Sequence, residues 1–186
     1  FSKNTIERNK AKLNDDIYVT GNIGDSFLGL KIIKYNVKIN SKLKKYFVNQ
    51  FYCPKLPYKI FKEMHKFANT SIDISDGLFS DMNKLINKQK LSFEINLNKI
   101  PISKNLEIYL KKNNKKKIPY LFHGDDYQIL FSAPKKNRLL IKSIGLKMNQ
   151  KITRIGKINN GYKKNLIKLD NKPQNLTNFK GYSHKF

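Results

Sequence analysis

Across residues 71–86 the apolar side chains change their period. Ile72 and Ile74 alternate with Asp73 and Ser75, the spacing of a strand that buries one face and presents the other. Beyond Asp76-Gly77 the spacing lengthens: Leu78, Met82, Leu85 and Ile86 fall at i, i+4, i+7 and i+8, as on an amphipathic helix. A strand that runs straight into a helix amino terminus calls for a fold in which sheets and helices are mixed. Twelve of these residues, "SIDISDGLFSDM" (71–82), hold three of the chain's 13 acidic residues against 38 basic ones.

Elsewhere the two periods recur. "DDIYVTG" (15–21), "LSFEINL" (91–97), "DYQILFSAP" (126–134) and "KITRIGKI" (151–158) read as strands. "DSFLGLKIIKY" (25–35), opened by the cap candidate Asp25, "YKIFKEMHKFA" (58–68), "SKNLEIYLKKN" (103–113) and "KNRLLIKSIGLKM" (136–148) read as helices. The basic, aromatic stretch 40–56, which ends in "CPKLP", reads as an irregular crossing segment, and the chain from 163 onward as a polar tail. With no internal repeat and no heptad run, the class is α+β or α/β. At 186 residues the length suits one domain with its own core.

Composition excludes several functions. No apolar run reaches the ~18 residues of a membrane span, and the start lacks the apolar stretch of a signal peptide. Cys53 alone forms neither an intrachain disulfide nor a thiolate zinc cluster; a buried or idle thiol in a reducing cytoplasm is expected. A net charge of +25 attracts polyanions. Yet only Arg8, Arg138 and Arg154 supply the planar fork that nucleic-acid readout favours, and the lysines are scattered. A general solvated surface, with no specific nucleic-acid partner and no membrane, is the expectation. His65, His123 and His184 make no metal set or triad; His65, off the apolar stripe of its helix, is expected on the surface, and His123, which could ligate or flank, is expected merely to flank.

The acidic islands are more informative. Asp73 and Ser75 share a strand face and Asp76 stands beside the N–H groups that open a helix, an all-oxygen set suited to a hard cation such as Mg²⁺ that shares its remaining ligands with phosphate oxygens. Asp76 or Ser75 serves equally well as a helix cap, which leaves Asp73 unexplained; Asp81 is either solvated or an internal cap partner. A second island, "FHGDDYQILF" (122–131), places Asp125 and Asp126 at the entrance of an apolar strand, behind a Gly124 that lets backbone approach a ligand. "VTGNIGDSFLGL" (19–30) lacks the lysine and spacing of phosphate-binding loops and reads as a structural turn.

Read in order, "ANTSIDISDGLFSDM", "HGDDYQILFSAP" and "GYSHKF", with the opening "ERNKAKLNDDIYVTGNIGDSFLGL", resemble the carboxy-terminal half of the thiamine-monophosphate kinase family. The resemblance covers essentially the whole chain. It implies the α+β carboxy-terminal domain of the aminoimidazole ribonucleotide synthetase-like fold, a mixed sheet packed with helices, with residues 1–20 as a lead-in from an amino-terminal domain and 171–186 as a substrate-contacting tail. It also implies phosphorylation of thiamine monophosphate to thiamine diphosphate, ATP as co-substrate, several Mg²⁺ ions, a cytoplasmic location, and a homodimer of the full-length protein. By motif, Asp73 and Asp76 would hold magnesium, Arg8 and Ser75 would contact ATP, and Asp125 and Tyr182 would hold the thiamine substrate. Asp125 stands where the family has glutamate, His123 where it has glycine, Gln128 where it has glutamate and Ser183 where it has aspartate, and Lys185 is inserted before Phe186. The start at Phe1 reads as the continuation of a longer chain, and these 186 residues alone are expected not to turn over. The rival readings are another ATP-dependent enzyme of the same superfamily and a noncatalytic basic module that binds nucleotide or nucleic acid.

Overall fold

The computed structural model describes residues 5–162 and 164–174. Seven strands form one sheet: β1 (Asp16–Thr20), β2 (Thr70–Asp73), β3 (Leu91–Asn96), β4 (Ile129–Ala133), β5 (Ile152–Asn160), β6 (Leu166–Leu169) and β7 (Lys172–Pro173). Their order is β2-β4-β1-β5-β3-β6-β7. Among the described residues only β3 and β6 pair in parallel, so the sheet is mixed and the class is α+β. Seven helices accompany it: α1 (Asp25–Tyr35), α2 (Ser41–Tyr52), α3 (Tyr58–Met64), α4 (Leu78–Ile86), α5 (Lys104–Lys112), α6 (Ile118–Leu121) and α7 (Arg138–Lys147).

Alternation along the inner strands explains the layering. Ile17 and Val19 of β1 and Leu130 of β4 face a core shared with Leu78, Met82, Leu85 and Ile86 of α4. Tyr18, Ile129, Phe131 and Ala133 face the other way, against Ile60 and Met64 of α3 and Ile141 and Ile144 of α7. Strands buried on both faces cannot show the polar-apolar alternation of a half-exposed strand, which is why "IYV" and "ILF" read as continuous apolar runs. A third cluster, around Leu28, Phe47, Leu106 and Tyr120, joins α1, α2, α5 and α6.

Several expectations need correction. Residues 41–52 are helical rather than irregular: Asn40 accepts the Leu43 N–H as an N-cap, and Leu43 and Phe47, four apart, are buried while the intervening lysines face out. The helix expected over 58–68 stops at Met64; Phe67 is buried beyond it and Phe61 is exposed. The strand expected from 126 begins at Ile129, because Asp125 and Tyr127 adopt left-handed backbone with φ of 67° and 48°. The polar stretch after 163 carries β6 and β7. Of the two places open to Cys53, the structure gives the exposed one. Among the described residues no helix is long and apolar enough to cross a membrane.

Two of the three arginines go to one carboxylate. Asp16, at the start of β1, accepts from Arg138 Nε and Nη2 at 2.5 and 2.8 Å and from Arg154 Nη1 at 3.2 Å. Burial opposes its ionisation, yet Arg138 and then Arg154 hold the carboxyl below its usual range. These groups tie the start of α7 and the strand β5 to the start of β1.

Candidate active site

The two acidic islands, about fifty residues apart in sequence, lie against each other backbone to backbone. β2 and β4 pair antiparallel with Asp73 opposite Ile129, and the ladder continues past the strands: Ile74 N–H donates to Gln128 O at 2.8 Å, Tyr127 N–H to Ile74 O at 3.0 Å, and Asp125 N–H to Ser75 O at 3.1 Å. Two glycines make this approach possible. A Cβ on Gly124 would stand 1.7 Å from Ser75 O, and one on Gly77, whose φ is 116°, would stand 2.2 Å from Phe122 O.

The turn that opens α4 is held by a side chain inside the same helix. Asp81 Oδ2 accepts the N–H groups of Ser75, Asp76 and Gly77 at 3.0, 2.9 and 3.1 Å, and the residue is 1% exposed. Of the two roles open for Asp81, cap partner is the one it fills. Burial pushes its carboxyl up to about 6 against the Gly77 and Ser75 N–H groups, which favour the anion, and the charge of Asp73 adds to the rise. Neither Asp76 nor Ser75 caps α4; Gly77 occupies the cap position with no side-chain bond.

Asp126 does for α1 what Asp81 does for α4, from across the fold. Its carboxylate accepts the Gly24 N–H at 2.7 Å and the Ser26 N–H at 3.4 Å. Asp25, read as the cap, is instead buried and accepts from Tyr46 Oη at 2.8 Å and Ser103 Oγ at 2.7 Å. Gly24, with φ of 95°, is the residue at the cap position. Burial pushes the Asp126 carboxyl up to about 8, with Asp25 adding repulsion and the α1 N–H groups opposing. Because the folded value lies above the ordinary 3.8, the native state binds the extra proton between the two, and stability falls as pH rises from about 4 to about 8. Asp126→Asn removes this contribution. The difference in unfolding free energy between the parent and the variant, followed by urea titration at successive pH values, is expected to shift against the parent by up to about 1.4 kcal/mol per pH unit between about pH 4 and about pH 8 and to level off above that.

The joined turns floor a cleft of about 550 Å³. Ser75, Asp76, Gly124 and Asp125 line it from below, Phe27, Leu30 and Lys34 from α1, Phe51 from α2, and Tyr127 closes one side. His123 stacks on Phe27 with ring centroids 3.6 Å apart and thus flanks the cleft; burial, and then Lys31, lower its pKa. Burial raises the Asp125 carboxyl. Tyr127 also borders a smaller cleft of about 260 Å³ that contains the exposed Asp73 together with Ile6, Phe61 and Met64. Asp73 and Asp76 therefore stand on either side of Tyr127, in adjoining clefts.

Arg8 is exposed on a segment fastened beside them: Thr70 Oγ1 donates to Glu7 O at 2.7 Å and Asn9 N–H to Leu85 O at 2.9 Å. Tyr182 lies outside the described residues. The wall residues Phe27, Lys34, Phe51 and Tyr127 escaped the sequence reading. Only Tyr127, inside the second acidic string, carried any signal, and its left-handed backbone had none.

The donors fit one kind of metal ion. Among the described residues no three His, Cys, Asp or Glu form a group able to hold one, so an all-protein cage is excluded there. One or two carboxylates beside an open cleft are what Mg²⁺ takes when waters and substrate phosphates complete its shell.

No family model matches the chain. It is 36% identical over 132 residues to the thiamine-monophosphate kinase of Aquifex aeolicus, covering 70% of this chain and 43% of that protein. To the thiamine-monophosphate kinase of Buchnera aphidicola from Acyrthosiphon pisum it is 34% identical over 182 residues, covering 95% and 54%. The chain spans about half the length of these curated relatives. Its fold superposes on a solved structure described as AaThiL complexed with AMPPCP and TMP, with a TM-score of 0.79 at 30% identity, over 97% of this chain and 54% of the other. Sequence and fold agree along nearly all of the described length, and over that length the chain is similar to one part of the thiamine-monophosphate kinases.

Proposed function

We propose that this chain forms part of an ATP- and Mg²⁺-dependent kinase that phosphorylates thiamine monophosphate to thiamine diphosphate. The observation that carries the reading is the backbone union of the two acidic turns at one cleft, which places Ser75, Asp76 and Asp125 on a common floor. The solved AaThiL complex, named for AMPPCP and TMP, supports the substrate pair.

The chemistry asks for positioning more than for acid or base. The acceptor is a phosphate monoester whose second pKa is ~6, so its oxygen is already ionised at neutral pH. That oxygen bonds to the γ-phosphorus of ATP while the bond from that phosphorus to the β–γ bridging oxygen breaks and ADP departs. Bound Mg²⁺ would neutralise phosphate charge between the two polyanions. The chain's own part is to hold Asp73 and Asp76 for divalent cations, Ser75 and Arg8 for the nucleotide, and Asp125 with Tyr182 for the thiamine moiety. Phe51 and Tyr127 offer aromatic faces to a cationic heterocycle, contacts worth ~0.5–2 kcal/mol. Lys34 offers a positive charge to phosphate oxygens. A homodimer of the full-length protein and a cytoplasmic location belong to the same proposal.

Isothermal titration of this chain tests it. With Mg²⁺ and a nonhydrolysable ATP analogue present, thiamine monophosphate is expected to bind, and Asp73→Asn to weaken that binding by about tenfold or more, the scale of a lost charge contact. Thiamine monophosphate binding that ignores both Mg²⁺ and the substitution, beside salt-sensitive RNA binding, would instead identify a basic module.

A further inference from the structure

Asp76 has an internal counter-ion. Lys84, two turns further along α4, places its ammonium on Asp76 Oδ2 and lies 3.3 Å from Asp81 Oδ1. The arrangement is built by the turn itself: Asp81 turns Oδ2 toward the three N–H groups and leaves Oδ1 for the lysine. The same fold-back that pins residues 75–77 over the first turn of α4 carries Asp76 to a side chain eight positions later. Lys34 lines the same cleft, yet among the described residues it forms no ion pair with a carboxylate there. Asp73 and Asp125, the remaining carboxylates of the two clefts, have no ion-pair partner among the described residues.

We propose that Lys84 is a built-in competitor for the divalent cation: it holds Asp76 neutralised until a dication displaces it. The inference rests on the reading of Asp76 as a metal ligand. Three features suit Lys84 to that exchange. Its side chain is 38% exposed, so its ammonium can leave for water without being stranded. An ammonium on a four-carbon stem moves more readily than a guanidinium locked in a fork. A partly exposed ion pair is also weakly held, so a doubly charged ion that also recruits phosphate oxygens outbids it, whereas a monovalent ion does not. Lys84 thereby favours the bound state in which nucleotide and cation arrive together over the bare metal, because the metal alone must overcome the lysine without phosphate ligands to help. It is a residue that tunes cation affinity, not one that touches the reacting atoms.

The test measures bare metal binding, with no turnover involved. Free Mn²⁺, followed by its electron paramagnetic resonance signal, is titrated into the parent chain and into Lys84→Met, Lys88→Met and Asp76→Asn, without nucleotide. Far-ultraviolet circular dichroism establishes that each is folded. Methionine keeps the length and helix preference of the lysine stem, and exposed Lys88 controls for the general loss of one positive charge. Lys84→Met is expected to bind Mn²⁺ roughly tenfold more tightly than the parent, Lys88→Met to stay within about twofold, and Asp76→Asn to lose the site. If Asp76→Asn loses the site but Lys84→Met matches the parent, or Lys88→Met tightens equally, the competitor role is wrong and the ligand reading stands. If Asp76→Asn binds as the parent does, both fall together.

Discussion

Gly124→Ala is expected to cost about 3 kcal/mol of stability, a large part of the ~5–15 kcal/mol that holds a domain of ordinary size. The reason is steric, not conformational, since Gly124 does not adopt a positive φ. A methyl there would meet Ser75 O at 1.7 Å and the Ser75 carbonyl carbon at 2.3 Å, and these are backbone atoms of the turn whose position the Asp125 N–H to Ser75 O bond fixes. Relief requires that the two turns part, which breaks that bond and undermines the next, Tyr127 N–H to Ile74 O. Gly77→Ala adds backbone strain at φ 116° to a 2.2 Å contact with Phe122 O, and it is expected to lose at least as much. Gly145→Ala is the control. Its added methyl lies 3.0 Å from Gln150 O and gains helix preference, so its change is expected to stay within about 1 kcal/mol. Urea midpoints at constant slope measure all three, and equal values for Gly124→Ala and Gly145→Ala would contradict the packing described.

Such damage at a distance marks what sequence spacing reveals and what it hides. The change of period at Asp76-Gly77 made β2 and α4 legible, because both patterns are local and each apolar residue announces its own face. The union of the two acidic turns was not legible. It is written in hydrogen bonds between main-chain groups, which carry no residue identity, and only the two glycines hinted at it. The helix caps divide in the same way. Ser103 and Asn40 cap their own helices with side chains three residues from the N–H they accept, so spacing can find them. The α1 cap comes from Asp126, a hundred residues away in sequence, and Asp25 has the right type and place but the wrong job. α2 was hidden because lysines separate its two buried positions, and β6 because its four residues are all half-buried at the margin of the sheet, where neither face carries a pattern. For the site, residue type pointed to the acidic turns, while the aromatic walls from α1 and α2 required the third dimension.

Asp81→Ala is expected to be nearly as costly as Gly124→Ala, by a route that leaves the packing intact. Removing the carboxylate orphans the N–H groups of Ser75, Asp76 and Gly77 at once, in a turn where Gly77 is buried. At ~1 kcal/mol or more for each donor left without a partner, the loss is about 3 kcal/mol. Asp81→Asn keeps an oxygen that can accept the same three bonds, so it is expected to recover more than half of that loss, although its amide then meets Lys84. The pH dependence separates the two contributions of Asp81. Its carboxyl titrates near 6 in the fold and at the ordinary 3.8 when unfolded, so the native state binds the extra proton between those values and stability is lost as pH rises through them. The advantage of the parent over Asp81→Ala is therefore widest below pH 4 and narrows toward pH 6, while the hydrogen-bond part remains above pH 7. An advantage that vanished above pH 7 would mean that the three N–H groups find water as good a partner as Asp81, and that the turn presenting Ser75 and Asp76 to the cleft does not depend on the helix behind it.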